Sequence, residues 1–263
     1  MTETTTELMT EAATATVTAA RRTVDTLAIV LVIVAIWELL HRIAGETALP
    51  APIETVFYLA HMMASARFAE NAAATAEAFG FALILAYGIG LATGIWMGAH
   101  RLSGAVGEPI LVAIYSLPKI TLYPVVLLIF GLGISGKVAF GAMHGILPVA
   151  LLTMGAIRAI PPVYLRAART LQLSPWQTIA TVLLPAALPE VFTGLRIGFT
   201  VTLLGVLLGE MFASKAGLGS MIMNAMSLAQ SQEMVAVAIV LFAFAAIANA
   251  ILLWIEHRLH RRV

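Results

Sequence analysis

Cysteine is absent from this 263-residue chain. It therefore has no disulfide framework, no thiolate zinc site and no thiol nucleophile. Charge is also scarce. Asp, Glu, Lys and Arg together make up 11% of the residues, where a soluble domain carries about 25%. So few charges cannot cover a water-facing surface, and most of the chain must face lipid or other apolar chain. A net charge of +1 leaves no basic field to hold nucleic acid. Regular strand alternation is missing, which argues against a membrane β-barrel. What is abundant is apolar: hydrophobic residues make up 60% of the chain, a composition that excludes a disordered protein or a coiled coil.

A bilayer core takes about 20 mostly apolar residues per helix. Six such stretches stand out, over 26–44, 73–98, 106–131, 137–157, 190–212 and 234–255. Pro109, Pro118 and Pro124 fall in the third, which predicts an interrupted start and a bend. Residues 1–25 are polar, rich in Thr, Ala and Glu, and read as a cytoplasmic tail. Residues 26–257 form the membrane domain and 258–263 a basic end. With the amino terminus inside, the inner segments hold Arg21, Arg22, Arg101, Arg158, Arg166, Arg169, Arg196, Arg258, Arg261 and Arg262. The outer segments hold only Arg42, Arg67, Lys137 and Lys215. That asymmetry places both termini in the cytoplasm.

Between the spans, residues 49–66 read as an amphipathic helix at the interface, and 214–233 as a short Met-rich helix at the outer mouth. In the second span Ala78, Ala82, Ala86, Gly90, Gly94 and Gly98 recur at every fourth position, a small-residue face for close helix packing. The segment Gly131-Leu-Gly-Ile-Ser-Gly136-Lys137 matches a phosphate-loop spacing. Val138 stands where the magnesium-binding Ser or Thr belongs, and no strand precedes it, so no nucleotide site is expected here. No His and carboxylate cluster has metal-ligand spacing.

The longest cytoplasmic segment, 158–189, is punctuated by proline and reads as two short helices joined at Ser174-Pro175, an N-cap followed by a first helical residue. It offers no paired acid, base or nucleophile, so it is a docking surface and not a catalytic loop. The segment resembles the coupling loop of ABC-importer permeases, the binding-protein-dependent transport family. The family pattern is Glu-Ala-Ala, three residues, Gly, nine residues, Ile, one residue, Leu-Pro. Here Arg166-Ala167-Ala168, Gln172, Val182 and Leu184-Pro185 stand at those positions with the spacing intact. Ser116-Leu-Pro-Lys119, Phe130-Gly-Leu-Gly133, Thr193-Gly-Leu-Arg196, Glu210-Met211 and Gly217-Leu-Gly219 resemble the nitrate, sulfonate and taurine branch.

The resemblance implies an all-α, six-span, type I importer permease with a cytoplasmic coupling helix-turn-helix, resident in a bacterial inner membrane. It implies a second permease chain, read as a copy of this one in preference to a different one. It further implies two ATPase subunits and a periplasmic or lipid-tethered binding protein. No cofactor is expected in this chain, since ATP and Mg belong to the partner ATPase. The substrate class implied is a small oxyanion or organic acid, with a thiamine precursor or other heterocycle left open. Two positions depart from the pattern. Arg166 reverses the charge of the family Glu, and Gln172 replaces a Gly that lets the loop turn sharply. A coevolved ATPase, a tolerant loop, or a heterodimer whose second chain carries the standard motif would each account for them.

Ionisable groups within a membrane domain are functional candidates. Lys119 could meet an anionic substrate in the passage, snorkel, or pair with a carboxylate. Glu210 could border an outer gate, or cap or pair with a neighbour. His144 reads first as a hydrogen-bonded packing residue and second as a pathway residue. Met211, with Met221, Met223, Met226 and Met234, reads as adaptable packing at the outer mouth, or as a gate. The competing class, an ion-coupled secondary transporter, needs an inverted repeat and buried acidic coupling sites. No such repeat is visible.

Overall fold

Apolar runs in lipid must satisfy their backbone internally, which favours helices. The structure, a computed structural model, describes residues 24–260, and these contain helices and no strand. Nearly all of the polar segment 1–25, with Arg21 and Arg22, lies outside the described residues, as do Arg261 and Arg262 of the basic end. The helices are α1 (Val24–Ala44), α2 (Pro52–Met63), α3 (Ala66–Ala99), α4 (Arg101–Ser116), α5 (Tyr123–Phe130), α6 (Ile134–Arg158), α7 (Pro162–Thr170), α8 (Pro175–Thr178), α9 (Leu184–Ala213), α10 (Leu218–Ser227) and α11 (Ser231–His260). Among the described residues five helices are long and apolar enough to cross a membrane, and the bent pair α4–α5 makes up to six.

The third span is bent at Pro118, as its prolines predict, but its start is not interrupted. Helix α4 starts at Arg101 and takes Pro109 inside it without ending. The break falls at Leu117, which is extended (ψ 138) ahead of Pro118, as a residue before proline prefers. The chain bends there by 85°. A 3-10 turn, Lys119–Leu122, then leads into α5. Pro124 lies in the first turn of α5, where a missing N–H costs little.

The fifth span also needs correction. The second short helix of the 158–189 segment is not separate from it. Helix α8 runs through a π turn, Ile179–Leu183, into α9, and the apolar helix extends over Pro175–Phe212, 38 residues. The physical reason is Pro185, which cannot donate to the carbonyl four residues back and whose ring would clash with it. The wider turn accommodates the ring without ending the helix.

The core is the trio α3, α6 and α9. The small face of α3 meets α6 at the same four-residue period. A Cβ on Gly90 would lie 2.7 Å from the Cβ of Val149, one on Gly94 2.6 Å from the Cβ of Thr153, and one on Gly98 2.8 Å from the Cβ of Ile157. On α6, a Cβ on Gly145 would lie 2.8 Å from the Cβ of Ala86. On α9, a Cβ on Gly194 would lie 2.9 Å from the Cβ of Leu152. Plain packing therefore accounts for the small-residue face. Ion pairs join the helices near one end: Arg158 of α6 with Glu108 of α4, and Arg196 of α9 with Glu256 of α11 at 2.8 Å. At the opposite end α2, α10 and the start of α11 pack together through Met62, Leu218, Met221, Ala236 and Val237. Arg67 pairs there with Glu233 at 2.9 Å.

Candidate functional site

The residues that carry the coupling-loop resemblance lie at the end of the molecule where α7 meets the start of the Pro175–Phe212 helix. Helix α7 starts on Pro161-Pro162 and ends in a left-handed cap. Gln172 has φ +51. Its N–H donates to the Arg169 carbonyl at 3.0 Å, and the Leu173 N–H reaches the Ala168 carbonyl at 3.0 Å. These are the two hydrogen bonds of a Schellman cap, whose left-handed residue is usually glycine. Ser174 then caps the next helix. Its hydroxyl accepts from the Gln177 N–H at 3.3 Å, and the Gln177 side chain accepts from the Ser174 N–H at 2.9 Å. Both halves of a capping box are present; the sequence reading reached the Ser174-Pro175 half of it.

Helix α7 has two faces. Ala168, 2% exposed, is buried. Leu165 packs inward with Ile157, Ile160, Leu183 and Val191. Arg166, Ala167, Gln172, Leu184 and Pro185 are exposed, and Val182 is half-buried. Neither Arg166 nor Arg169 forms a salt bridge among the described residues. Around them lie Tyr164, Leu171 and Trp176, the last two 71% and 75% exposed. The surface is apolar with two unneutralised guanidinium groups, a composition suited to a protein partner carrying acidic side chains. The aromatic and aliphatic members were not among the sequence candidates, because a helix–turn–helix does not reveal which face its neighbours leave open.

Lys119 lies just past the 85° bend. Its ammonium donates to the Tyr115 carbonyl at 3.1 Å and lies 4.3 Å from the centre of the Tyr115 ring. His144, half-buried on α6, has Nδ1 2.8 Å from the Phe140 carbonyl and its ring against Phe140 at 4.6 Å. Met211 is half-buried.

Glu210 is elsewhere, at the far end of α9, and is 0% exposed. The Thr75 hydroxyl lies 2.9 and 3.0 Å from its two oxygens, and the Gly219 N–H donates to it at 3.0 Å. The Lys137 ammonium lies 3.6 Å away and donates to the Ala216 carbonyl at 2.6 Å. The sequence reading counted Lys137 among the outer segments, at the edge of the fourth span; the structure buries it in the first turn of α6. The phosphate-loop spacing therefore ends in a lysine already engaged within the protein. Nearby, the Tyr58 hydroxyl donates to Glu233 at 3.4 Å; its pKa is raised above the ordinary tyrosine value by burial first and by the Glu233 carboxylate second. Among the described residues no group of three or more His, Asp or Glu side chains is arranged to hold a metal.

Residues 86–263 match the family model described as binding-protein-dependent transport system inner membrane component. The putative aliphatic sulfonates transport permease protein SsuC of Bacillus subtilis is 28% identical over 214 residues, 81% of this chain and 77% of that protein. The nitrate import permease protein NrtB of Synechococcus elongatus is 26% identical over 205 residues, 74% of this chain and 73% of that protein. Among solved structures, a chain of the MetNI methionine ABC transporter in an inward-facing conformation superposes with a TM-score of 0.60 at 20% identity. The match covers 72% of this chain and 92% of that one, and it establishes the shared fold.

Proposed function

The chain belongs to the family of binding-protein-dependent transport system inner membrane components, and we propose that it carries a small anion or organic acid through an ATP-driven importer. The family is the permease subunit and not the ATPase. ATP and Mg are therefore assigned to a partner. The observation that carries the reading is the coupling motif: its spacing is kept from Arg166 to Pro185, and its residues surround an exposed apolar face at the start of the helix Pro175–Phe212.

In this reading two copies of the chain enclose one passage, and two ATPase subunits seat on α7 and α8. A binding protein delivers substrate at the opposite end, beside α2 and α10. Both termini lie in the cytoplasm, an orientation supported by the Arg and Lys bias of the connecting segments. The ATPase pair closes on ATP, and α7 and the Pro175–Phe212 helix carry that movement into the bundle. The passage opens outward, takes substrate, and resets inward after hydrolysis. Lys119, at the bend of a broken span, and His144 are the pathway groups proposed to meet an anion. The names of the relatives, an aliphatic sulfonate permease and a nitrate permease, support an oxyanion. The chain itself forms and breaks no covalent bond.

The test is affinity capture of the full chain from its own membranes in mild detergent, with mass spectrometry of what accompanies it. An ATPase subunit is expected. Its recovery should fall at least about tenfold in Leu171→Asp and Trp176→Asp variants, since a charge replaces an exposed apolar side chain that the docked ATPase would bury, while membrane levels of the chain hold. ATP-dependent uptake of labelled nitrate, taurine and an alkanesulfonate into vesicles then identifies the substrate class. Capture of the chain alone, with uptake abolished by collapse of an ion gradient while ATP is intact, would replace this reading with a secondary transporter.

A further inference from the structure

A carboxylate buried in a membrane bundle is costly unless every oxygen is satisfied. Glu210 is such a carboxylate, and its partners come from three other helices: Thr75 from α3, Lys137 from α6 and Gly219 from α10. Helix α10 depends on this cluster for its own start. Its N-cap is Gly217, which has no side chain to accept from the first N–H groups. Those groups are satisfied from other helices instead. Gly219 N–H donates to Glu210 at 3.0 Å, Leu218 N–H to the Thr75 hydroxyl at 2.8 Å, and Gly217 N–H to the Asn71 side chain at 2.7 Å. The Glu210 carboxylate thus does the work of an absent cap at the positive end of α10. The two glycines of Gly217-Leu-Gly219 follow from the same geometry. A Cβ on Gly217 would overlap the carboxylate, and one on Gly219 would lie 2.8 Å from the Glu210 Cβ.

The far part of α10 is held differently. Met221 and Ala225 are buried on its apolar face, and Met221 packs against Met62, Ala236 and Val237 without directional bonds. Polar fastening is concentrated at the Glu210 end. Glu210 also lies in the last turn of the helix that begins beside Trp176. That helix is 38 residues long, about 57 Å at the helical rise, and it runs unbroken through its π turn and past Pro189. Movement at the coupling face therefore reaches Glu210 through one continuous element.

We propose that Glu210, held by Thr75 and Lys137, is the positioning residue that fastens α10 at the end of the bundle opposite the coupling face, and that release of this fastening accompanies opening of the passage at that end. The proposal rests on the importer reading and its orientation above.

The absence of cysteine allows a single reporter. Ala225→Cys places a thiol on the buried face of α10, and Gln232→Cys places a control thiol at the start of α11. Each is made in the full chain, in native membranes with its partners, and labelled from outside with a membrane-impermeant maleimide. In the Ala225→Cys parent, labelling is expected to be slow without nucleotide and to accelerate when ATP and vanadate trap the complex. Adding Glu210→Gln or Thr75→Val is expected to speed nucleotide-free labelling at least about tenfold, since bonds to a buried charge are among the strong ones. It is also expected to abolish the response to ATP and vanadate. Thr75→Ser, which keeps the hydroxyl, is expected to label at the parent rate. Parent-rate labelling in Thr75→Val overturns the proposal, as does equal acceleration at the control thiol or in Thr75→Ser. Where Glu210→Gln does not reach the membrane, the Thr75→Val and Thr75→Ser pair decides. If no ATPase accompanies the chain the importer reading fails, while the nucleotide-free comparison still decides the fastening.

Discussion

Gln172 holds a left-handed conformation, φ +51, that costs an ordinary L-residue about 1–2 kcal/mol. The conformation is required because the Schellman cap needs it to close the hydrogen bonds of Gln172 N–H and Leu173 N–H. The sequence pattern anticipated a turn that glycine makes cheaply, and the structure supplies the dihedral angle. Gln172→Gly is therefore expected to stabilise the chain by about 1 kcal/mol, since the cap is kept and the strain is removed. The readout is a rise in the thermal unfolding midpoint of the purified chain in a fixed detergent. A fall would mean that the Gln172 side chain contributes more than its backbone strain costs. Arg166 differs in kind. Its guanidinium is exposed and forms no salt bridge among the described residues, so nothing among them explains the reversed charge.

Among the elements, α3 and α6 show how glycine position separates packing from mere tolerance. Gly94 faces α6, and a Cβ there would lie 2.6 Å from the Cβ of Thr153 and 2.7 Å from the Ala150 carbonyl. Gly88, on the same helix, has nothing within 4 Å of its Cβ position. Two identical substitutions should therefore have opposite signs. Gly94→Ala forces the helices apart and is expected to cost about 1–3 kcal/mol. Gly88→Ala restricts the unfolded chain without a clash and is expected to add up to about 1 kcal/mol. Thermal unfolding of both variants in one detergent reads the difference, and equal shifts would contradict the packing described for this pair. The same reasoning covers the fifth span. Pro185 was visible as a proline within an apolar run, but whether it ended a helix or widened one turn depended on what packed around it, with Leu183, Ala187 and Val191 buried on the inner side.

At the scale of the whole molecule, the three central helices account for most of the burial, and the outlying helices remain open. The most apolar part of α1 is 0% buried, and that of α11 is 17% buried, against 67% for α6. Helix α1 is attached chiefly by its end, where the Trp37 indole donates to the Pro50 carbonyl at 3.1 Å and the His41 ring meets the Leu49 carbonyl at 2.7 Å. Surfaces this apolar must face lipid or another chain. The proposed pairing of two copies makes a countable prediction. Native mass measurement of the complex in mild detergent should give two copies of this chain for each ATPase pair. One copy beside a different permease chain would instead assign the departures at Arg166 and Gln172 to an asymmetric partner.

Composition and hydropathy were enough to point to a helical membrane protein, because a chain with 11% charged residues must satisfy its backbone in lipid as helices or a closed barrel, and the strand alternation of a barrel is missing. The order of the spans, the broken third span, the small helices between spans and the family were all legible, since each is written in local runs, prolines or motif spacing. The candidate groups Lys119 and Glu210 were legible as charges out of place, but their surroundings were not. That Glu210 meets Thr75, Lys137 and Gly219, that Lys137 is buried, and that the coupling segment continues into the fifth span were decided by tertiary structure. The physical reason is separation along the chain. Thr75 and Glu210 stand 135 residues apart, and only the packing of α3, α6 and α9 brings a hydroxyl, an ammonium and a helix start around one carboxylate.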